Sequence, residues 1–112
     1  METDRLVERL WFDLECSEEQ TKAIIEQLLS DIRLFDQKQA DYGPHNISKF
    51  GVIGVLVRAS DKIERLINLH KDSTLTSSDT LTPSNESVTD SWQDLSVYGA
   101  IARVVNEGNW ES

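Results

Sequence analysis

One cysteine, one methionine and two prolines stand in this chain of 112 residues, and only 11 basic side chains are set against 20 acidic ones. Cys16, being alone, excludes an intrachain disulfide and fits a reducing compartment, the cytoplasm in the simplest case. A formal net charge of −9 and a pI near 4.5 leave no basic surface of the kind that grips nucleic-acid phosphates, so direct nucleic-acid binding is not expected. Long hydrophobic runs are also missing. The longest, Val55-Leu56-Val57 within residues 51–57, falls far short of the roughly 20 apolar residues of a membrane span. The opening Met1-Glu2-Thr3-Asp4-Arg5 is charged in both signs with no apolar region behind it, which does not read as a secretion signal. No internal repeat is apparent.

What remains is an ordinary globular balance, 38% hydrophobic and 28% charged, in a chain of a length that suits a single modest core. One domain over residues 1–112 is the expectation. Helical periodicity dominates it. Leu6, Leu10 and Leu14 recur every fourth position over residues 3–14, with Trp11 and Phe12 widening the apolar side. Ser17 followed by Gln20 has capping-box spacing, with Glu18 and Glu19 in the first turn. It opens a second helix to about Ala40, with Ile24 or Ile25, Leu28, Ile32 and Phe35 inward and Tyr42-Gly43-Pro44 as the stop.

Residues 43–48 read as a loop. A third helix is expected from Lys49 to His70 with Val52, Leu56, Ala59, Ile63, Leu66 and Ile67 inward. The branched residues of 52–57 suit a strand too, but the 3-4 spacing continuing through Leu69 favours helix. Gly51 and Gly54 suit a helix start or a close approach of another backbone. Eight of the fifteen residues of 71–85 are Ser or Thr, which predicts a flexible loop. A fourth helix starts near Pro83-Ser84-Asn85 and runs to about Asn106, with Val88, Trp92, Leu95, Tyr98 or Gly99, Ala102 and Val105 inward and Gly108 after it. The fold class is therefore all-α, a bundle of about four helices.

Chemistry concentrates on the last two helices. Glu86, Asp90 and Asp94 are spaced by four and so form one row along a helix, where like charges repel by a few tenths of a kcal/mol per pair. Either that row faces water near the helix start, where acids are favoured, or it serves a cation. On the third helix Arg58, Asp61, Lys62 and Arg65 share a polar stripe with Glu64 beside it. That stripe reads as a solvated face of local ion pairs. It reads equally as the other half of a site in which Asp61, with Glu64, meets the Glu86/Asp90 row. Converging carboxylates would suit Mg²⁺, and the cationic side chains would receive phosphate oxygens. Tyr42 and Asn46 have local readings as a helix stop and a self-bonding loop residue. His45 and His70 lack metal-ligand spacing, and Cys16 has no nearby basic activator.

The string GVLVRASDKIERLINL, residues 54–69, with ESVTDSWQDLSVY, residues 86–98, resembles the nucleotide-modification-associated domain 1 family. The shared elements are Arg58, Asp61-Lys62, Arg65-Leu66 and Asn68-Leu69, then Glu86, Asp90-Ser91, Asp94-Leu95 and Tyr98. An upstream Tyr42-Gly43 followed by Asn46 completes the set, which covers roughly residues 38–100. That family is similar to the MazG-like all-α nucleoside triphosphate pyrophosphohydrolases, whose paired acids, Glu-x-x-Glu and Glu-x-x-Asp, bind Mg²⁺. Here Asp61-x-x-Glu64 precedes Glu86-x-x-x-Asp90 by a 21-residue spacer. The first Glu is thus an Asp, and the second pair is spaced by four; both pairs still share a helical face.

The resemblance implies a hydrolase converting an NTP or dNTP to the monophosphate and pyrophosphate, nearest to the phage MazZ type that acts on dATP and dGTP. It implies Asp61, Glu86 and Asp90 as ligands of Mg²⁺ (or Mn²⁺), and Glu64 or Asp94 as the carboxylate that orients or deprotonates water. Lys38, Arg58, Lys62 and Arg65 fall to the triphosphate, and Tyr42 and Asn46 to base or sugar. The Ser/Thr-rich loop is a candidate cover. A homodimer or homotetramer is implied, with the host cytoplasm as the location of a phage-encoded enzyme. The alternative is a non-catalytic nucleotide-binding or scaffold module of a nucleotide-modification pathway.

Overall fold

The computed structural model describes residues 2–43, 45–71 and 83–110, and the side chains of 4–41, 43, 45–71 and 88–110. Its described residues are all-α, without a strand. The elements are α1 (Glu2–Asp13), α2 (Gln20–Tyr42), α3 (His45–Ser48), α4 (Gly51–His70) and α5 (Pro83–Asn106). The chain divides into two compact units, Met1–Lys38 and Gln39–Ser112. Most of the expected Ser/Thr-rich loop, residues 72–82, lies outside the described residues.

In the first unit α1 closes with two nested hydrogen bonds. The amide of Cys16 donates to the Trp11 carbonyl at 3.1 Å, and that of Glu15 to the Phe12 carbonyl at 3.0 Å. This is a Schellman closure with Glu15 at the left-handed position, φ 58°. The capping box expected from Ser17 and Gln20 does not form. The Ser17 hydroxyl lies 3.5 Å from a Glu18 carboxylate oxygen, and α2 begins only at Gln20. The turn is held instead by Trp11, whose indole N–H donates to the Glu18 carbonyl at 2.8 Å. The buried apolar residues here are Val7 and Ile25. Leu6, Leu14, Leu28 and Ile32 are exposed, correcting their expected inward placement, and of the alternatives Ile24 and Ile25 it is Ile25 that is buried. Among the described residues burial here is confined to Val7 on α1 and to Ile25 and Asp31 on α2, not the whole apolar stripe that periodicity marks out.

In the second unit α2 ends as the sequence predicts. Gly43, at φ 73°, carries the chain into the left-handed region and its amide donates to the Gln39 carbonyl at 2.8 Å. The expected loop over residues 43–48 holds the short helix α3, too brief to show any periodicity, with Ile47 buried beneath it. His45 opens α3 and His70 closes α4, both exposed. At the start of α4, Gly54 makes room for Phe50: a Cβ there would lie 2.6 Å from the Phe50 Cβ. So the close neighbour of Gly54 is a side chain preceding its own helix.

α4 packs chiefly on α5 and also meets α3. Val55, Leu66 and Ile101 are buried in this unit, with Ser91 only 1% exposed among them. Val52, Leu56, Ile63 and Ile67 of α4 remain exposed, although all four were expected inward. At 100° per residue they occupy a strip centred about 80° round the helix from the Val55/Leu66 line, so a neighbour seated on that line leaves the strip open. Trp92 is likewise 58% exposed, on the far side of α5 from Ser91 and Ile101. At the end of α5 the amides of Gly108 and Asn109 donate to the Val105 and Val104 carbonyls, both at 3.0 Å, the same closure as at α1. Among the described residues, no helix is long and apolar enough to cross a membrane.

Candidate functional site

Lys62 and Asp94 meet between the two candidate helices. Lys62 lies seven residues after Val55 and four before Leu66, so the helical repeat puts it on the buried side of α4. Asp94 stands three residues after Ser91 and seven before Ile101, on the corresponding side of α5. Their side chains meet, Nζ to Oδ2, at 3.0 Å, with 25% and 18% of their surfaces exposed. A charge-assisted contact at this length is stronger than a neutral hydrogen bond, and partial burial screens it less than a surface pair.

The rest of the polar stripe opens to solvent, with Glu64 about 160° round α4 from Lys62. Arg58, Asp61, Glu64 and Arg65 on α4 are exposed, as is Asp90 on α5. The acid row of α5 therefore splits, Asp94 turning toward α4 and Asp90 toward water. Glu86 belongs to α5, but its side chain lies outside those described. Among the described residues, no three of His, Cys, Asp and Glu are close enough to hold a metal ion together. Mg²⁺ held with a nucleotide commonly takes one or two carboxylates and completes its octahedron with water and phosphate oxygens, so it needs fewer protein ligands than such a cluster supplies.

The Tyr42–Asn46 segment is built around Gln39, which sequence reasoning passed over. The Gln39 side-chain amide donates to the Gly43 carbonyl at 2.6 Å and reaches the Asn46 Oδ1 at 3.5 Å. A glutamine four residues ahead of a helix-ending glycine was the available signal, since that spacing lets the side chain meet the carbonyl past the last turn. Asn46 is thus half-buried in α3 with its side-chain oxygen turned to a neighbour's amide, and is not the self-bonded loop residue that one reading of the sequence suggested. Tyr42 ends α2, and its side chain lies outside those described. Lys38 is exposed at the end of the first unit, whereas every other candidate residue belongs to the second.

The structure thus joins Lys62 to Asp94 and sets Asp61 and Asp90 on neighbouring helices. No protein-family model, no curated protein and no solved structure matches this chain.

Proposed function

We propose that the chain is a metal-dependent nucleotide pyrophosphohydrolase that converts a (d)NTP, foremost dGTP or dATP, to the monophosphate and pyrophosphate in a phage-type nucleotide-pool or modified-base pathway. One observation supports it above the others. The 3.0 Å contact of Lys62 with Asp94 joins the turn of α4 that bears Asp61 to the turn of α5 that follows Asp90. These are the two turns that carry the acids and bases of the family resemblance.

On this reading Asp61, Glu86 and Asp90 hold Mg²⁺ (or Mn²⁺). When bound, the ion polarises the phosphate oxygens and eases ionisation of the attacking water. Arg58 and Arg65, seven residues apart on one face, receive phosphate oxygens, with Lys62 and Lys38 as further cations. Glu64 or Asp94 orients the water and accepts its proton as the water oxygen bonds to the α-phosphorus. The α–β phosphoanhydride bond breaks, and pyrophosphate leaves with the bond's electron pair. Tyr42 and Asn46 contact base or sugar. The active species is a homodimer or homotetramer in the cytoplasm, supported by the exposed apolar row on α4.

The test is direct. Purified protein with Mg²⁺ is incubated with each common NTP and dNTP, and the products are resolved by chromatography. Monophosphate plus pyrophosphate from dGTP or dATP is expected, and Asp90→Asn should abolish it. Release of a single phosphate overturns the scissile bond. Nucleotide binding without turnover points to the non-catalytic module, and loss of both removes the nucleotide reading altogether.

A further inference from the structure

We propose that a second copy of this chain covers the exposed strip of α4, with the two α4 helices antiparallel and their two-fold axis passing between Ala59 and Ser60. This rests on the oligomer of the proposed function and not on its chemistry.

The strip has the same pattern read in either direction. Val52, Leu56, Ile63 and Ile67 are its exposed apolar members, and Ala59 and Ser60 are the two residues at its midpoint. Leu56 and Ile63 stand equally far from that midpoint, and so do Val52 and Ile67. A two-fold contact needs a self-complementary patch, since each residue meets its counterpart across the axis. An antiparallel second α4 therefore sets Leu56 against the partner's Ile63 and Val52 against the partner's Ile67. Large side chains face large ones towards both ends. At the centre the small side chains of Ala59 and Ser60 let the two helices approach closely.

Charge favours the same occupant. In a chain of net charge −9, a symmetric contact centred on an acidic face sets like charges together, which opposes association. The strip has no charged member, and Ser60 is its one polar residue. Glu64 lies at its edge, about 90° from its centre, and stands level with the partner's Val55 instead of a carboxylate. The strip is also placed for a further helix. Its centre lies about 80° round α4 from the Val55/Leu66 line, so a second α4 seated there leaves the contact with α5 intact. Neighbours at about that angle are what each member of a four-helix bundle has. Ile53 and Val57, 69% and 57% exposed, widen the apolar surface on the side away from α5.

The experiment uses the full chain carrying Cys16→Ser, so that any introduced thiol is the only one. Ser60 is exposed, and the two-fold axis brings its two copies together at the crossing point. Disulfides join residues whose Cα atoms are about 4.4–6.8 Å apart, so Ser60→Cys should oxidise to a dimer of doubled mass on a non-reducing gel. Asp61→Cys, equally exposed but about 150° round from the centre of the strip, should remain single. Adding Leu56→Lys to Ser60→Cys should abolish the link. A mixture of Val52→Cys and Ile67→Cys proteins reads the direction: an antiparallel contact gives the mixed disulfide, whereas a parallel one gives each protein linked to itself and overturns the proposal. Circular dichroism checks that every variant stays helical. Should either end variant fail to fold, the Ser60→Cys link and its loss with Leu56→Lys decide alone. Equal linking of Ser60→Cys and Asp61→Cys means chance collision and overturns the proposal. An unlinked Ser60→Cys protein whose wild type sediments at a multiple of 12.7 kDa overturns this contact and leaves the oligomer standing. A wild type at single-chain mass with no link overturns both and leaves the strip to a different partner, while pyrophosphate release still judges the chemistry.

Discussion

The ammonium of Lys22 sits 4.7 Å above the ring centroid of Trp11 while making ion pairs with Glu19 at 2.9 Å and with Glu8 at 3.1 Å. One residue of α2 thus engages α1 by charge, by a ring face and through the turn between them. Hydrogen bonding to Glu19 first, and then to Glu8, raises the Lys22 pKa above its ordinary 10.5. A lysine whose pKa is higher folded than unfolded stabilises the fold fully below the unfolded value, and that contribution disappears as pH rises through the folded one. Thermal unfolding of the wild type should therefore fall with pH above about 10.5, and Lys22→Met should lose part of that slope. Equal slopes in the two proteins would refute the assignment.

Glu15 gives a second prediction. It holds a left-handed backbone, φ 58°, at the position where helices usually place glycine. An L-residue there costs about 1–2 kcal/mol, while glycine adopts the conformation freely at the cost of a more flexible unfolded chain. Glu15→Gly should stabilise the protein by about 1 kcal/mol, and Glu15→Val should destabilise it by at least as much. Urea unfolding of the three proteins measures both.

Ser91 tests the α4–α5 packing. At 1% exposure it is the most deeply buried side chain described, and it is also among the smallest. Ser91→Leu forces additional methyl groups into a closed contact and should cost about 1–3 kcal/mol. A variant as stable as the wild type would mean that this contact is looser than its burial indicates.

The helix ends were legible in the sequence where their cause is local. Tyr42-Gly43, Pro83 and Gly108 act through backbone chemistry within one turn, and each lies at the end the sequence predicts. α3 was not legible, since four residues carry no period. The buried faces were legible only in part. The stripe from Val52 to Ile67 marks residues that dislike water, and a single partner helix chooses the line within it that becomes covered. The candidate residues behaved similarly. Their sharing of two helices followed from spacing, but which of Asp90 and Asp94 turns inward depends on the position of α5 against α4, which no spacing states.

The exposed row on α4 supplies the last prediction. Val52, Leu56, Ile63 and Ile67 fall within about 60° of one another around the helix, an apolar strip running along most of its length. Contiguous apolar surface of this kind marks an interaction face more often than a solvated one. If the proposed homodimer or homotetramer uses this face, Leu56→Lys with Ile63→Lys should desolvate two ammonium groups on assembly and dissociate it. Neither residue is buried in the folded unit, so the double variant should keep its helicity, with each change costing within about 0.5 kcal/mol of chain stability. Sedimentation equilibrium should then give a multiple of 12.7 kDa for the wild type and the single-chain mass for the variant. An unchanged mass in a folded variant would place the subunit contact elsewhere. A wild type already at single-chain mass would remove the oligomer from the proposal while leaving the pyrophosphate assay to judge the chemistry.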